Sequence, residues 1–362
     1  MRGAGVALLH GVSIYSDPTM VYPPTAAVAF LPLSLGRYVA ALNVWIVLSA
    51  IAVASAGLLS AAPWRRGIWL LLSALAAGVM VKSDALTYTL ALGNLSLLLA
   101  PVAVGVLLLF EAGRWRTGCA LLVFSLLLKP MLLPLILLPL LRRKWRPVLE
   151  AWIGACILLA IAIVLVPGGA HSFSVFWHIE ASGTNTGRHA VYDISIRGVA
   201  ERLGVDTWGS AARAAVVALA ATLACVWARQ ASRPGSVAGI GTLLLLATFL
   251  AGSVSEVHYL LVAVPCLLTT IAFRRSLSGV AAALPGLFLF AFPDSYIGNV
   301  ANSPQAVQIR FFLAELLLFI ATAVSVAQSS RSDASTRGEK PPLGGRLLPV
   351  RERAPAAAVG RR

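Results

Sequence analysis

The chain has 362 residues, of which 59% are apolar and 12% are charged, and its mean hydropathy is +0.85. Soluble domains average about 25% charged and about 45–50% apolar residues. The composition therefore excludes a water-soluble globule, a disordered chain and a disulfide scaffold. It is typical of a polytopic membrane protein, and the length allows about ten crossings of about 20 apolar residues each.

The formal charge of +15 does not indicate a nucleic-acid partner. Lys and Arg form short clusters between apolar runs, which is the distribution of the positive-inside rule and not a continuous basic face. The cysteines lie in or beside apolar runs without metal-ligand spacing. We predict no metal site and no cofactor.

Apolar runs follow one another along most of the chain. They lie near 26–36, 38–62, 67–81, 87–110, 117–141, 148–166, 210–228, 237–252, 257–273, 276–292 and 309–327. We predict an all-α fold with about ten transmembrane or re-entrant helices, forming one domain over 1–328. A disordered, basic, cytoplasmic tail is predicted over 329–362.

The Tyr22-Pro23-Pro24 segment marks an extended entry into the first run, because Pro is tolerated at a helix start and restricts the residue before it. Asp17 precedes it in a predicted outer loop, where a lone acid is more often a cap than a catalyst. Asn94 follows Gly93 within the run 87–110. A buried amide at such a position is most often an interhelical hydrogen-bonding group.

Lys129 and Pro130 stand at the centre of the run 117–141. Pro disfavours helix at the preceding residue, so half-helices over 117–128 and 131–141 are predicted to form a re-entrant hairpin. With this hairpin the cationic clusters all fall in the cytoplasm. Eight of the fourteen acidic residues then lie in loops on the opposite side, so the predicted site faces away from the cytoplasm.

A charged side chain in the middle of a membrane costs about 2.5–3.5 kcal/mol on insertion scales. We hypothesise that Lys129 reaches an aqueous cavity and binds an anion such as phosphate. The alternatives are a lysine that extends to the interface or one paired with an internal acid.

The loop 167–208 mixes aromatic and polar residues, which suits either a helix on the membrane surface or a saccharide-binding cleft. Asp193 and Arg197 have i,i+4 spacing, so a salt bridge on one helix face is the simpler interpretation and substrate binding the other.

The segment Ser253–Tyr259 combines Glu256, His258 and Tyr259 at the outer mouth of a span. A helix beginning near Ser253 would favour a bound anion at its N-terminus, with His258 one turn further in. Interfacial anchoring by the aromatic residues is an equal alternative.

Several short motifs follow one another along the chain. They are Gly11-x-x-Ile14-Tyr15, Tyr22-Pro23-Pro24, Leu31-Pro32-Leu33, Gly93-Asn94-Leu95, Leu128-Lys129-Pro130, Arg142-Arg143-Lys144-Trp145-Arg146, Ser195-Ile196 and Ser255-Glu256-Val257-His258-Tyr259. In this order the chain resembles the family-87 polyprenol-phosphate glycosyltransferases of the GT-C class. Within that family it looks most like the actinobacterial arabinofuranosyltransferases that branch arabinan.

The resemblance implies an inverting transfer of arabinofuranose from a decaprenyl-phosphate donor to an arabinan or lipoglycan, on the outer face of the plasma membrane. It implies that Lys129 and His258 bind the donor phosphate. The substrate-binding residues it suggests are Tyr22, Asn94, Asp193, Arg197, Glu256 and Tyr259.

The catalytic base is the point at which the chain departs from the family pattern. The family's aspartate lies after an initial span and, by spacing from Gly11, falls before Met1. We therefore expect an upstream segment to supply it, with Asp17 as the substitute candidate, and we expect the chain as written to be inactive. The alternatives are a polyprenol-phosphate mannosyltransferase, an inactive homologue, or a lipid-linked sugar transporter with inverted repeats and interrupted helices.

Overall fold

The computed structural model describes residues 2–16, 22–63, 66–182, 193–229, 234–252, 255–274, 277–291 and 304–338. Helices make up most of these residues, which confirms the all-α class. The first eight are α1 (Arg2–Leu9), α2 (Pro24–Ala29), α3 (Leu31–Ser34), α4 (Tyr38–Ala61), α5 (Arg66–Lys82), α6 (Asp84–Leu92), α7 (Ser96–Glu111) and α8 (Trp115–Leu128). The others are α9 (Leu137–Leu141), α10 (Trp145–Leu165), α11 (Gly169–Ser182), α12 (Ile196–Leu203), α13 (Asp206–Arg229), α14 (Ser236–Ala251), α15 (Leu260–Arg274), α16 (Leu277–Ala291) and α17 (Pro304–Gly338).

Five stretches of the described chain are long and apolar enough to cross a membrane. They are Tyr38–Ala61, Trp145–Leu165, Asp206–Arg229, Val257–Arg274 and Gln305–Gln328. The bent pair of α6 and α7 makes a sixth if it is counted as one span. Apolar side chains on α10 point away from the protein, and Val164 is 84% exposed, as lipid-facing positions require. The polytopic membrane class is thus confirmed.

Helix α14 lies at the centre of the packing. Almost all of its residues are buried, and it contacts α7, α13, α15 and α17. A helix that is apolar on every face is stable only when other elements surround it. The elements that form the site described below are therefore arranged around a rigid apolar centre.

Two predicted runs are corrected by the structure. The run 26–36 is not a span, because it forms the short helices α2 and α3, which meet at Phe30. The run 87–110 is not one straight helix. Gly93 adopts a left-handed conformation (φ 60°) and ends α6, and α7 then departs at 117°. Gly takes this conformation without the steric cost of a Cβ.

The break at Lys129 is confirmed. Helix α8 ends at Leu128, and Lys129 has an extended backbone (φ −162°, ψ 126°). A 3₁₀ helix over Pro130–Ile136 then leads into α9. The second half of the predicted hairpin is therefore a 3₁₀ turn followed by a short α-helix, because Pro130 and Pro134 both lack an N–H for α-helical bonding.

The last helix, α17, extends to Gly338, so the first ten residues of the predicted tail are helical in the structure. Residues 339–362 lie outside the described residues. The division into a membrane domain over 1–328 and a disordered tail stays a prediction.

Candidate functional site

The two helix breaks meet at one buried polar cluster. Asn94 lies in the turn between α6 and α7, and Ser96 is the first residue of α7. Lys129 is the extended residue after α8, and His258 lies in the 3₁₀ turn Val257–Tyr259 that precedes α15. The Lys129 and His258 side chains are 7% and 3% exposed. The cluster therefore joins segments more than a hundred residues apart in the sequence.

Lys129 is surrounded by oxygen, nitrogen and aromatic partners. Its Nζ donates to Ser96 Oγ at 3.1 Å and lies 3.2 Å from His258 Nε2. The ring centroids of Tyr259 and Tyr22 lie 4.5 Å and 5.4 Å from the same atom. Aromatic faces stabilise a cation that has lost water, so the segment offers a partly compensated ammonium at the break.

His258 Nε2 is the meeting point of the cluster. It lies 2.7 Å from Glu256 Oε2, 2.8 Å from Asn94 Nδ2 and 3.2 Å from Lys129 Nζ. The orientation of the Asn94 amide is fixed, because its Oδ1 accepts from both the N–H and the hydroxyl of Ser96. Its Nδ2 therefore donates towards the imidazole.

Tyr22 closes the cluster on the side of α2. Its hydroxyl accepts from the N–H of Leu95 at 3.3 Å, and its carbonyl accepts from the hydroxyl of Tyr15 at 2.8 Å. Burial, and secondly the charge of Glu256, raise the pKa of Tyr22. The phenol therefore stays protonated and is available as a hydrogen-bond donor.

Asp193 contacts the cluster indirectly, because it binds the backbone of the segment that carries Glu256. Its Oδ1 accepts from the N–H groups of Ser195 and Ser255, each at 2.9 Å. An antiparallel bridge pairs Asp193 with Glu256, and Ile194 N donates to Ser255 O at 2.7 Å. Asp193 thus binds backbone, which corrects the expected salt bridge to Arg197.

The remaining predicted positions do not join the cluster as expected. Arg197 lies on the surface helix α12 and pairs with Glu201, so the structure does not bring it into the cluster. Asp17 lies outside the described residues. The expected helix start near Ser253 is wrong, because Ser255 and Glu256 are not helical and the 3₁₀ turn begins at Val257. His258 is therefore in the first turn and not one turn further in.

Sequence reasoning missed the supports that α17 provides. Gln308 donates through Nε2 to the backbone oxygen of Asp193. Arg310 Nη2 lies 3.0 Å from Asp84 Oδ2 at the start of α6. Glu315 is fully buried on the same helix. Two polar side chains at the start of an apolar span and an acid near its middle were a usable signal, since such groups rarely face lipid.

Among the described residues, no group of three or more His, Cys, Asp or Glu side chains is arranged to hold a metal ion. What the cluster offers is an ammonium, an imidazole and an amide at a discontinuity between helices. Donors of this kind bind phosphate or carboxylate oxygens through charge-assisted hydrogen bonds.

These features define a class: a polytopic, all-α membrane protein with a buried cluster of lysine, histidine and glutamate at two helix breaks. Residues 20–255 match glycosyltransferase family 87, and the chain belongs to that family. It is a membrane glycosyltransferase.

Relatives agree with this assignment. The chain is 25% identical over 336 residues to an alpha-(1->3)-arabinofuranosyltransferase of Corynebacterium glutamicum, covering 89% of this chain and 77% of the relative. It is 30% identical over 206 residues to proteins of the same name from two strains of Mycobacterium tuberculosis, covering 54% of this chain and 44% of theirs. No solved structure matches the chain.

Proposed function

We propose that the chain transfers arabinofuranose, with inversion, from a decaprenyl-phosphate donor to an arabinan or lipoglycan acceptor on the outer face of the plasma membrane. The observation that carries the proposal is the position of Lys129 Nζ, 3.2 Å from His258 Nε2 at the break after α8. Burying an ammonium beside an imidazole is costly. The Glu256 carboxylate, 2.7 Å from His258 Nε2, offsets part of that cost, and a phosphate bound to both groups would supply negative charge at the same place.

The surroundings of the broken segment suit a lipid-linked donor. An apolar groove of about 400 Å³ is lined by Pro134, Leu137 and Leu141 and by residues of α13 and α14. Pro134 lies five residues after Lys129, which is about 10 Å along a 3₁₀ helix. A prenyl chain in this groove would therefore leave its phosphate near the ammonium.

The names of the relatives support the sugar, since the C. glutamicum and M. tuberculosis proteins are called alpha-(1->3)-arabinofuranosyltransferases. The transporter alternative gains nothing from the geometry. Within the part of the chain that the structure describes, the breaks after α6 and α8 both lie in the first half, whereas inverted repeats place interrupted helices in corresponding positions of the two halves.

Donor binding is the primary test, because all residues of the proposed phosphate site lie within the described cluster and the test does not depend on the catalytic base. Purified protein in nanodiscs is titrated with decaprenyl phosphate, the phosphate-bearing product. Hydrogen bonds to charged groups contribute about 1.5–3 kcal/mol, so Lys129→Ala should weaken binding at least about tenfold, and His258→Ala similarly. Lys144→Ala and His10→Ala, at exposed positions, should bind as the wild type does.

Two results would refute the proposal: no binding by folded wild-type protein, or unchanged affinity in both cluster variants. The sugar is tested by competition between decaprenyl-phosphate arabinofuranose and decaprenyl-phosphate mannose. Transfer to an arabinan oligosaccharide then tests the acceptor and the stereochemistry.

A further inference from the structure

Three groups compete for one nitrogen of His258. Glu256 Oε2, Asn94 Nδ2 and Lys129 Nζ all lie within 3.2 Å of Nε2. An imidazole nitrogen carries either one N–H or one lone pair. It can therefore donate to Glu256 or accept from the amide or ammonium, but not both at once.

Glu256 is the anion of this cluster. Its carboxylate lies against the imidazole on which the proposed phosphate would depend, and its charge also acts on Tyr22. Two anions that share a buried, poorly solvated site repel each other strongly. The carboxylate and a bound phosphate therefore exclude each other from His258.

The Glu256 backbone is held by hydrogen bonds, whereas its side chain is partly exposed. The bridge to Asp193 holds the residue in an extended conformation, and the N–H of Tyr259 donates to its carbonyl at 2.8 Å. The side chain is 13% exposed, whereas that of His258 is 3% exposed. Because the backbone is held, the carboxylate can leave His258 only by rotation of this partly exposed side chain.

We infer that Glu256 is an internal counter-ion that competes with the lipid phosphate for His258, leaves when the donor binds, and returns to eject the lipid phosphate product. This positioning role rests on the proposed function, because it takes decaprenyl phosphate as the product. Return of the carboxylate restores the charge balance of Lys129 and His258 without the ligand. Product release limits turnover in many enzymes, and the exchange provides a way to speed it.

The test measures the affinity and dissociation rate of decaprenyl phosphate in nanodiscs for wild type, Glu256→Gln and Glu256→Ala. Glu256→Gln keeps the shape of the side chain and removes its charge. We expect at least about tenfold tighter binding and correspondingly slower dissociation in both variants. Glu150→Gln is the matched control, because Glu150 is half exposed and pairs with Arg116 away from the cluster, and it should bind as wild type does.

The direction of the change in affinity separates this role of Glu256 from a purely structural one. If Glu256 only held His258 in place, both variants would bind more weakly; that outcome, or unchanged affinity, overturns the inference. Absence of binding by the wild type would instead overturn the proposed function. A thermal midpoint for each variant identifies one that fails to fold, and the other then decides.

Discussion

The bend at Gly93 can be tested with a single methyl group. Gly93 has φ 60°, and no atom lies within 4 Å of the position that a Cβ would take. Gly93→Ala therefore meets no steric clash outside the backbone, and its cost is that of the left-handed conformation, about 1–2 kcal/mol. We expect Gly93→Ala to lower the free energy of unfolding by this amount, which is measured as a lower thermal midpoint.

Gly78 provides the matched control, because a Cβ there also has open space, but its φ is not positive. It lies within α5, where replacing Gly by Ala stabilises a helix by about 0.8–1.0 kcal/mol. The same added methyl should thus lower stability at position 93 and raise it at position 78. Gly93→Asn should lose less than Gly93→Ala, since Asn tolerates this conformation better.

The bend also has a functional readout. The N–H of Asn94 donates to Thr89 O at 3.0 Å across the turn, and this places the Asn94 amide beside His258. Straightening the turn would withdraw the amide, so Gly93→Ala should also weaken decaprenyl phosphate binding. A Gly93→Ala protein that is as stable as wild type and binds equally well would refute the reasoning.

Two further predictions concern buried acids. Asp193→Ala leaves the N–H groups of Ser195 and Ser255 without their acceptor, which costs about 1–3 kcal/mol each. Asp193→Asn keeps an oxygen that can accept both. The denaturation midpoint should therefore be lowest for Asp193→Ala and closer to wild type for Asp193→Asn. Burial raises the pKa of Asp193, so its protonated form contributes stability that is complete below the ordinary Asp pKa and is lost as pH rises through the folded value. As pH rises from the ordinary Asp pKa through the folded value, the denaturation midpoint of the wild type should therefore fall more steeply than that of Asp193→Asn. Parallel plots of midpoint against pH would contradict a raised pKa at Asp193. Glu315 is fully buried with the Ser255 hydroxyl beside its carboxyl group, but neither carboxylate oxygen meets the geometry of a hydrogen bond among the described residues. Glu315→Met should therefore raise the thermal midpoint, corresponding to about 1–4 kcal/mol, and a lower midpoint would show that Ser255 stabilises the acid.

The sequence predicted those parts of the site that depend on local chemistry. Pro130 disfavours helix at Lys129 through a local steric effect, so the break after α8 was predictable. Gly93 was ambiguous, because an isolated Gly in an apolar run is compatible with either a continuous helix or its end. The difference between one straight span and a 117° bend therefore became visible only in three dimensions.

Long-range contacts account for the remaining errors. The i,i+4 spacing of Asp193 and Arg197 favoured a salt bridge, but Asp193 precedes the N-cap of α12 and binds backbone 62 residues away. The pairing of Arg310 with Asp84 spans 226 residues. No local pattern encodes such pairs, since they depend on which helices become neighbours.

The contacts of α17 also set an order of events during synthesis. Arg310 and Gln308 reach back to Asp84 and Asp193, whose own segments leave the ribosome much earlier. Domains form progressively from the N-terminus as translation proceeds. A nascent chain that stops before residue 304 contains both helix breaks but lacks these two contacts, so the proposed ligand-binding cluster is without its α17 supports until the final helix has been inserted.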